Sequence, residues 1–472
     1  MIRDRDYYAQ WLCPWRWTEK TTTQMKRSVF MQQKKTMNFG FRGWMLVIYQ
    51  AIAFLSFMVF TNYPMNVLAD MYGGAQKLSM IYTVSIVIGI VAQLIIARFV
   101  GKIKNVKRVS IILGIISLLL ALGVVLIPPA AQGLWQICYG LEVFFIVLYS
   151  TFSIGILVGQ WFPRRKGTVM GVATLAFPIA NGLIGLFAGA VFHGPVPDVF
   201  GAFLPFLIIS AIGLLIGAFL ITDYPEQSGA FRDNDKSITP EVAKAMMEAE
   251  IKAKATSVWT VGHTLKSRDF WFITIPMGFL LFCAVGLMTQ SMSILGNFSA
   301  ELEPVGGFGI IMLGVAVVAC IGSWLLGVLD TKFGTKFAIT ISVAVMIIGG
   351  FVGAIHSLTS LLIGMFCVAV FMGASSNFTV SSAAQYWRRE DFPSVFACVN
   401  PIANVIQAIG PMVIAILLTT QGYQAAFIAV GVLGVLSMVL ILLFSSKNVK
   451  LVDDKYRKAA GLVLDDALLN RK

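Results

Sequence analysis

Charged residues are scarce in this sequence of 472 residues, because lysine, arginine, aspartate and glutamate together make up only 12% of it, while 57% of the residues are hydrophobic. Soluble globular domains carry roughly 25% charged residues. A chain with so little charge cannot cover a water-exposed surface of this size, so the composition excludes an ordinary soluble protein. Long apolar stretches are favourable on the exterior only where that exterior faces lipid.

Cysteine and histidine are also few, and their positions exclude several kinds of site. Five of the six cysteines lie in apolar stretches and Cys13 lies in the N-terminal tail, so reduced thiols are expected instead of a disulfide framework. The three histidines are far apart and have no metal-ligand spacing. No phosphate-binding loop of the Gly-x4-Gly-Lys-Ser/Thr type is present. We therefore expect no metal, no cofactor and no enzymatic activity.

Twelve apolar stretches are long enough to cross a bilayer, which needs roughly 20 residues per helix. They lie near 44–68, 77–97, 109–127, 134–159, 168–192, 203–222, 270–292, 306–329, 337–355, 360–384, 395–418 and 424–444. Strands of a membrane barrel would be about 10 residues long with alternating polarity. The stretches therefore predict an all-α membrane protein with twelve transmembrane helices, referred to below as spans 1 to 12.

The basic residues predict how these spans are oriented. With the N-terminus in the cytosol, 35 of the 36 lysines and arginines fall in cytosolic segments, and only Lys77 lies outside. The opposite orientation would place nearly every basic residue outside, against the positive-inside rule. We expect both termini in the cytosol of a cell membrane, such as a bacterial inner membrane. The net charge of +13 then reflects topology and does not indicate nucleic-acid binding.

The longest polar interruption divides the spans into two groups of six. Within it, Thr239-Pro240-Glu241 precedes a run rich in Ala, Met, Lys and Glu, which predicts a short cytosolic helix. The predicted organisation is a tail at 1–43, a six-helix bundle at 44–222, the inter-bundle loop at 223–269, a second bundle at 270–444, and a tail at 445–472.

The two halves share short sequences at equivalent places. Gln160-Trp161 after span 4 returns as Gln385 and Trp387 after span 10. The tetrapeptide Pro178–Asn181 in span 5 returns as Pro401–Asn404 in span 11, and almost the same length of chain separates the two copies in both cases. This repetition predicts an internal duplication of a six-helix unit. Parallel repeats of this kind occur in transporters, where the solute site lies between the halves near the membrane midplane.

With these features the chain resembles the major facilitator superfamily. The loop signature of that family, with Gly, Asp, a basic residue and Gly in order, is recognisable at 327–336 as GVLDTKFGTK. The copy at 98–108 is shorter and has lost its acid. Residues 161–167 (WFPRRKG) and Gly410-Pro411 are similar to segments of the oxalate/formate antiporter-like and sugar-phosphate permease-like branches. The resemblance implies a major facilitator fold of two pseudo-symmetric bundles, functional as a monomer.

The resemblance also implies that spans 1, 4, 7 and 10 line the solute cavity with help from spans 2, 5, 8 and 11. Polar side chains of these spans are the candidate solute-lining residues: Tyr49, Ser56, Tyr149, Ser153, Asn181, Gln290, Asn377, Asn400, Asn404 and Gln407. In span 11, Asn400, Asn404 and Gln407 share one helical face. The alternative for these amides is hydrogen bonding between helices, which stabilises membrane bundles.

Glu142 is the only acid well inside a span, about eight residues from the external end of span 4. An embedded carboxylate costs at least a few kcal/mol unless it is paired, protonated or hydrated. Apolar surroundings favour its uncharged form, so Glu142, which lies in a cavity-lining span, is expected to face the central cavity between the halves and is a candidate proton carrier. Two alternatives remain open: a structural carboxyl bound to a neighbouring helix, and a counter-charge for a cationic or zwitterionic solute.

No lysine or arginine lies within the hydrophobic depth of any span. The oxalate/formate resemblance implies an anionic solute held by intramembrane basic residues, and the spans provide none. A weak organic acid in neutral or proton-compensated form, or a neutral or zwitterionic metabolite, fits these spans better.

The sequence thus predicts a secondary active transporter working by alternating access, either proton-coupled or exchanging. Its expected partners are a small-molecule solute, the lipid bilayer and protons. The candidate gating latch comprises Asp330, Lys332, Arg164 and Arg165 at the cytosolic ends of the spans. The alternative function is a transporter-like sensor that binds a solute and signals through its tails.

Overall fold

The computed structural model describes residues 38–99, 105–162, 166–236, 238, 241, 248, 257–388 and 391–462. Within these residues, twelve helices are long and apolar enough to span a membrane. No β-strand occurs in the described part of the chain. The prediction of an all-α membrane protein with twelve transmembrane helices is confirmed.

The first six spanning helices form the N-terminal bundle. They are α1 (Gly40–Val67), α2 (Ala75–Phe99), α3 (Val106–Leu126), α4 (Gln132–Ser150, continuing through Thr151–Ile156 and Leu157–Trp161), α5 (Lys166–Ala173 and Ala176–Val191) and α6 (Val199–Leu220). The end at which α1 ends and α2 begins is the predicted external end.

The other six spanning helices form the C-terminal bundle, and a thirteenth helix follows them. They are α7 (Arg268–Met288), α8 (Gly307–Phe333), α9 (Thr335–Gly353), α10 (Leu358–Tyr386), α11 (Phe392–Gln421), α12 (Tyr423–Leu443) and α13 (Ser446–Ala459). The bundles meet where α2 packs on α11 and α5 packs on α8. This pseudo-symmetric arrangement is the one predicted from the repeat.

Apolar side chains on the outer helix faces explain why these helices need lipid. On α2, Val84, Ile88, Val91 and Ile95 follow one another at helical spacing, and each is about half exposed. Contiguous apolar patches of more than a few hundred Å² are rare on soluble monomers. The stripe is stable in a bilayer, where hydrocarbon tails replace water as its surroundings.

Two helices of the N-terminal bundle are interrupted within the membrane. In α5 the helix breaks at Thr174 and Leu175, one turn before Pro178. Proline has no N–H, and its ring clashes with the carbonyl group four residues earlier, which is that of Thr174. In α4 the segment Thr151–Ile156 is π-helical, a widened turn that often occurs at functional sites.

Most of the described helices begin a few residues before the predicted spans, and α7 ends four residues earlier than predicted, at Met288 instead of 292. The polar residues that follow Met288 form a turn and a short separate helix, Ser291–Leu295. Helix α13 lies in the segment predicted only as a tail. The short helix predicted after Thr239 falls almost entirely outside the described residues.

Candidate functional site

Glu142 is completely buried in α4, and its carboxyl group contacts α3. Its Oε1 accepts a hydrogen bond from Ser117 Oγ at 3.3 Å, while Oε2 has no hydrogen-bond partner among the described residues. Two turns earlier on the same face, Trp135 Nε1 donates to the Val124 carbonyl of α3 at 2.7 Å. The face of α4 that carries Glu142 therefore packs against α3 inside the N-terminal bundle.

This placement differs from the expectation that Glu142 lines a cavity between the bundles. A buried carboxyl group is stabilised where a neighbour donates a hydrogen bond, and α3 presents Ser117 at the level of Glu142. The adjacent face of α4 carries Tyr139, whose hydroxyl donates to the Thr61 carbonyl of α1 at 2.7 Å. Hydropathy placed Glu142 in the correct helix, but it contains no information on which neighbour each face meets.

Three further candidates lie within the N-terminal bundle. Tyr49 Oη and Ser110 Oγ of α3 form a hydrogen bond of 2.9 Å, and Ser56 Oγ and Ser210 Oγ of α6 form one of 2.7 Å. The rings of Tyr49 and Tyr149 are in edge-on contact, with centroids 6.2 Å apart. These side chains join helices of one bundle, which is the structural role left open for such polar groups.

Ser153 lies in the π-helical turn of α4. Its Oγ donates to the Tyr149 carbonyl at 2.8 Å, and its side chain is completely buried. The Ser153 hydroxyl thus donates its proton to a hydrogen bond within its own helix.

A small cavity of about 10 Å³ lies between α1, α3, α4 and α6. Four of its lining residues carry hydroxyl groups: Ser56, Ser117, Tyr149 and Ser210. Gly114 also lines it, and a Cβ at that position would lie 2.9 Å from the Tyr149 ring. The cavity is therefore polar, and the absence of a side chain at Gly114 leaves room for Tyr149.

The amide side chains of α10 and α11 have different surroundings. All four are half-buried, and none forms a hydrogen bond with another described residue: Asn377, Asn400, Asn404 and Gln407. Asn404 lies one turn from Ala408, which contacts α2 of the other bundle. The stripe on α11 therefore lies beside the boundary between the bundles, and its amide groups form no hydrogen bond with another described residue.

Asn181 lies at the contact of α5 with α8. It is buried, and its Nδ2 donates to the Phe177 carbonyl of its own helix at 3.0 Å. One turn further on, a Cβ at Gly185 would overlap Gly309 Cα of α8. The helices thus touch through glycines in the predicted external half.

Asn66 links the bundles at the predicted external end, a role that the sequence analysis did not assign. Its Nδ2 donates to the Met288 carbonyl and to Ser291 Oγ, each at 2.9 Å, and its Oδ1 accepts from the Met292 N–H at 2.9 Å. Its position near the end of a polar span was the only signal in the sequence.

Among the described residues, two other hydrogen bonds join the bundles. Gln290 Nε2 donates to Ser79 Oγ of α2 at 3.0 Å, and Thr83 Oγ1, one turn after Ser79, donates to the Ala408 carbonyl of α11 at 2.6 Å. Gln290 is completely buried, and its Oε1 has no partner among the described residues. The bonds of Asn66, Gln290 and Thr83 all lie between the predicted external end and the membrane middle.

The candidate latch is described only in part. Asp330 Oδ1 accepts a hydrogen bond from Thr335 Oγ1 at 2.6 Å, which ties the end of α8 to the first residue of α9. Lys332 is exposed. Arg164 and Arg165 lie outside the described residues.

The segment Gln385-Tyr386-Trp387, which contains the second copy of the Gln and Trp repeat, supports the start of α9. Gln385 Oε1 accepts from the Thr335 N–H at 2.7 Å, and Tyr386 Oη accepts from the Lys336 N–H at 2.8 Å. These bonds satisfy two of the four N–H groups that a helix start leaves free. In the other half, Trp161 Nε1 donates to the Thr222 carbonyl at 2.8 Å.

A buried cluster of charges, not identified from the sequence, joins α13 to the C-terminal bundle. Asp453 accepts hydrogen bonds from Arg388 Nε at 2.8 Å, Arg457 Nε at 3.0 Å and Trp259 Nε1 at 2.9 Å. Arg457 also pairs with Asp391, which accepts from Ser257 Oγ of the inter-bundle loop. The spacing of Asp453 and Arg457, four residues apart, was the available signal.

No group of three His, Cys, Asp or Glu side chains in the described part of the chain is arranged to hold a metal ion. The site groups are hydroxyls, amides and one carboxyl. The carboxyl group can bind and release a proton, and the hydroxyl and amide groups can form hydrogen bonds with an uncharged solute.

Comparison with known proteins identifies the family of this fold. The family model described as Major Facilitator Superfamily matches residues 45–329 and 292–465. No curated protein matches the chain in sequence.

Two solved structures of a bacterial homologue of the human lysosomal transporter Spinster are similar in fold. The inward-facing, occupied form has a TM-score of 0.55 at 14% identity and covers 87% of this chain and 97% of its own. The inward-facing, unoccupied form has a TM-score of 0.57 at 14% identity and covers 90% of this chain and 98% of its own. At this identity the likeness concerns the fold alone, and neither comparison tests the predicted resemblance to particular branches.

Proposed function

This chain belongs to the major facilitator superfamily, and on that premise we propose that it is a secondary active transporter, which moves a small organic solute by alternating access between its two bundles. In this mechanism the bundles rock about a central site, so that the solute reaches one side of the membrane at a time. The protein acts as a monomer, with no cofactor.

The observation that carries this proposal is the group of side-chain hydrogen bonds that join the bundles among the described residues. Asn66, Gln290 and Thr83 supply hydrogen bonds that join the bundles, all from the external half. These bonds must break and re-form if the external end opens and closes. The described conformation then corresponds to a transporter closed to the outside.

The solute is a weak organic acid, a neutral metabolite or a zwitterion. The half-buried amide groups of Asn377, Asn400, Asn404 and Gln407 provide both donors and acceptors for it. No lysine or arginine lies within the hydrophobic depth of the spans to hold a strong anion. A permanently charged dicarboxylate would lack the partner that its desolvation requires.

Coupling to protons is assigned to Glu142. Its Oε2 has no partner among the described residues, so no described cation holds the carboxyl in its charged form. A carboxyl group that is buried in this way can carry a proton through part of the transport cycle.

The protein resides in the cell membrane with both termini in the cytosol, as the distribution of lysine and arginine indicates. In a bacterium this is the inner membrane. Reporter fusions at residues 230–250 should be active only on the cytosolic side. External activity of these fusions would contradict the topology.

The direct test is transport by vesicles that contain the purified protein. A panel of labelled metabolites, offered with and without a pH gradient, should reveal at least one solute whose accumulation depends on the protein. The double variant Asn66→Cys with Ser291→Cys, in a background without the native cysteines, should form a disulfide that stops this flux until a reductant is added. Each single-cysteine variant is the matched control, and its flux should not change on oxidation or on addition of the reductant.

The alternative function is a membrane sensor, and one observation favours it. Helix α13 is fixed to the C-terminal bundle through the buried charges of Asp453 and Arg457, so a rearrangement of the bundle would reach the tail. A sensor would bind a solute without moving it. Binding of a metabolite in the absence of any flux in vesicles would select the sensor over the transporter.

A further inference from the structure

Several of the hydroxyl groups buried inside the N-terminal bundle surround a single cavity. Ser56, Ser117, Tyr149 and Ser210, from four different helices, line its wall. The cavity volume of about 10 Å³ is close to the roughly 10–15 Å³ that one water molecule needs. A buried water also needs two to four polar partners, and the four hydroxyl groups can supply them. The cavity therefore has the size and the chemistry of a site for one water molecule.

The serines of the cavity have acceptor capacity to spare. Ser56 Oγ and Ser210 Oγ lie 2.7 Å apart, and each also lies within hydrogen-bond distance of a carbonyl of its own helix. Each of the two hydroxyl groups has one proton to donate. At most two of the three contacts, one between the serines and two with carbonyl groups, can therefore be hydrogen bonds at the same time. Lone pairs remain on both oxygens, and a water molecule in the cavity could donate to them.

Ser117 connects the cavity to Glu142. It lines the cavity and donates to Glu142 Oε1 at 3.3 Å. The second carboxyl oxygen of Glu142, fully buried, has no partner among the described residues. The carboxyl group is thus one hydrogen bond away from the water site.

Hydroxyl groups continue from the cavity towards the predicted cytosolic end. Tyr149 lines the cavity and contacts the ring of Tyr49, whose hydroxyl bonds Ser110 Oγ at 2.9 Å. Ser110 is the fifth residue of α3, which starts at the cytosolic side in the predicted topology. A series of hydroxyl groups therefore extends from Glu142 to one end of the bundle, within the N-terminal bundle.

The C-terminal bundle provides an internal comparison. Ser342 in α9 corresponds to Ser117, and Ser437 in α12 corresponds to Ser210. The number of residues between the members of each pair is close to the number that separates the two copies of the repeat. The number of residues between Glu142 and Cys367 in α10 equals the number between Ser117 and Ser342, so Cys367 stands at the position that corresponds to Glu142. Ser342 and Ser437 each donate to a carbonyl of their own helix. The corresponding serines are thus present in both halves, and the carboxyl group occurs in only one.

We propose that Glu142 and the hydroxyl-lined cavity form one proton-binding site, which holds a water molecule and exchanges its proton through the interior of the N-terminal bundle. The step is the addition of one proton to the carboxylate, which gives the neutral acid with no other change. The proposal rests on the proposed transport function for its purpose, but the site itself requires no solute. It also places the proton path apart from the solute path between the bundles.

Few other groups near Glu142 can titrate. Cys138 and Tyr139 lie on its own helix, and Tyr82 of α2 lies next to Tyr139. From α3 the group that faces the carboxyl is Ser117, and from α1 the nearest described contact of this region is the Thr61 carbonyl. None of these groups is a cation.

The test is infrared difference spectroscopy of the purified protein in lipid, recorded across a pH change. The band of a protonated carboxylic acid should disappear in Glu142→Gln. If that variant does not fold, Glu142→Asp is used in its place, and there the band should move. In Ser117→Ala it should shift to higher frequency, because the carbonyl loses a hydrogen bond. Ser56→Ala and Ser210→Ala should also shift it, although neither serine touches Glu142, because the water molecule links them.

Ser342→Ala and Ser437→Ala in the other bundle are the matched controls, and both should leave the band unchanged. A band that Ser56→Ala and Ser210→Ala do not move would overturn the water-linked site. A band that persists in Glu142→Gln would overturn the assignment of the proton. Because the measurement needs no flux, pH-driven transport together with a failed spectroscopic test would reject this site and leave the proposed function standing.

Discussion

At the scale of single residues, the surroundings of a buried polar group decide between a structural and a functional role. Tyr49 and Ser56 use their hydroxyl groups to join helices of one bundle. Asn400 and Asn404 belong to the same class of candidate, but their amide groups are half-buried and have no bonds to described residues. An amide group that is not used for packing is available to a solute, so these two asparagines are the stronger candidates for solute contact.

For Glu142→Gln we predict separate effects on exchange and on coupled transport. Glutamine keeps the size and one acceptor oxygen for Ser117 but cannot take up a proton. The variant should exchange internal for external solute at close to the wild-type rate and lose its response to a pH gradient. Vesicle transport with and without the gradient measures both effects, with Cys138→Ser, one turn earlier on the same helix, as control.

Other outcomes for Glu142 have different meanings. Loss of exchange together with coupling would indicate contact with a cationic solute, and a lower melting temperature would indicate a structural carboxyl. A folded variant that accumulates solute with wild-type pH dependence would exclude Glu142 from the mechanism.

For Asp330→Asn we predict a weakened outward-facing state. Asp330 accepts a short hydrogen bond from Thr335 at the start of α9, where a negative charge is favoured by the helix dipole. Loss of the charge should cost about 0.5–1 kcal/mol, and Thr335→Val should have a similar effect because it removes the donor. Maleimide labelling of Asn400→Cys from the cytosolic side should increase in both variants. Thr331→Ala is the control, and equal labelling in all three would argue against a latch.

At the scale of elements, α13 is held to the C-terminal bundle by charge instead of by an apolar stripe. Its contact face carries Val449, Asp453 and Arg457, all buried. The partners of the two charged residues come from the α10–α11 connection and the end of the inter-bundle loop. Buried charges of this kind need every partner, because an ion left alone away from water is costly.

We predict that Asp453→Asn destabilises the protein strongly. Arg388 and Arg457 would both lose the carboxylate that they share, and breaking a buried ion pair costs about 3–5 kcal/mol. Lys455→Ala is the matched control, because Lys455 lies exposed on the other face of the same helix. Thermal unfolding in detergent should show a clear decrease in melting temperature for Asp453→Asn alone. Equal melting temperatures would mean that the cluster is dispensable.

At the scale of the whole molecule, α5 and α8 pack closely at the predicted external end, and we expect the external closure to depend on this contact. A Cβ at Gly185 would overlap Gly309 Cα, so the contact leaves no space for a side chain at position 185, whereas a Cβ at Gly309 would be in ordinary contact with Gly185. Small residues allow membrane helices to approach closely where the hydrophobic effect does not drive association. We therefore expect the packing to favour a closed external end as long as position 185 remains glycine.

We predict that Gly185→Ala opens the external end. The new Cβ would overlap Gly309 Cα, a backbone atom that cannot move aside, so the helices must separate. Ser291 is completely buried at the external contact in the closed state, and an impermeant maleimide should label Ser291→Cys several-fold faster once the end opens. Gly189→Ala, one turn away with nothing within 4 Å, gains the same helix propensity and should label as the parent does. Unchanged labelling in Gly185→Ala would show that this contact does not control the gate.

The sequence by itself determined the twelve spans, their predicted direction and the two-fold repeat. These features depend on composition, on the distribution of basic residues and on short identical segments, all of which are properties of the chain before it folds. The length of an apolar run follows from bilayer thickness, so it needs no tertiary contact to be interpreted. For the same reason Glu142 could be recognised as an embedded acid.

Only the tertiary structure decided which neighbour each helix face meets. Glu142 bonds Ser117 of α3, Asn66 bonds α7 of the other bundle, and Asp453 bonds Arg388 from a distant segment of the chain. In a membrane every face of a helix can be apolar, because lipid tails and the side chains of neighbouring helices are both apolar. Hydropathy therefore does not distinguish the face in contact with lipid from the face packed on protein. Direction and partner are set by the few polar groups and by the close contacts between glycines, and these are fixed only when the helices pack.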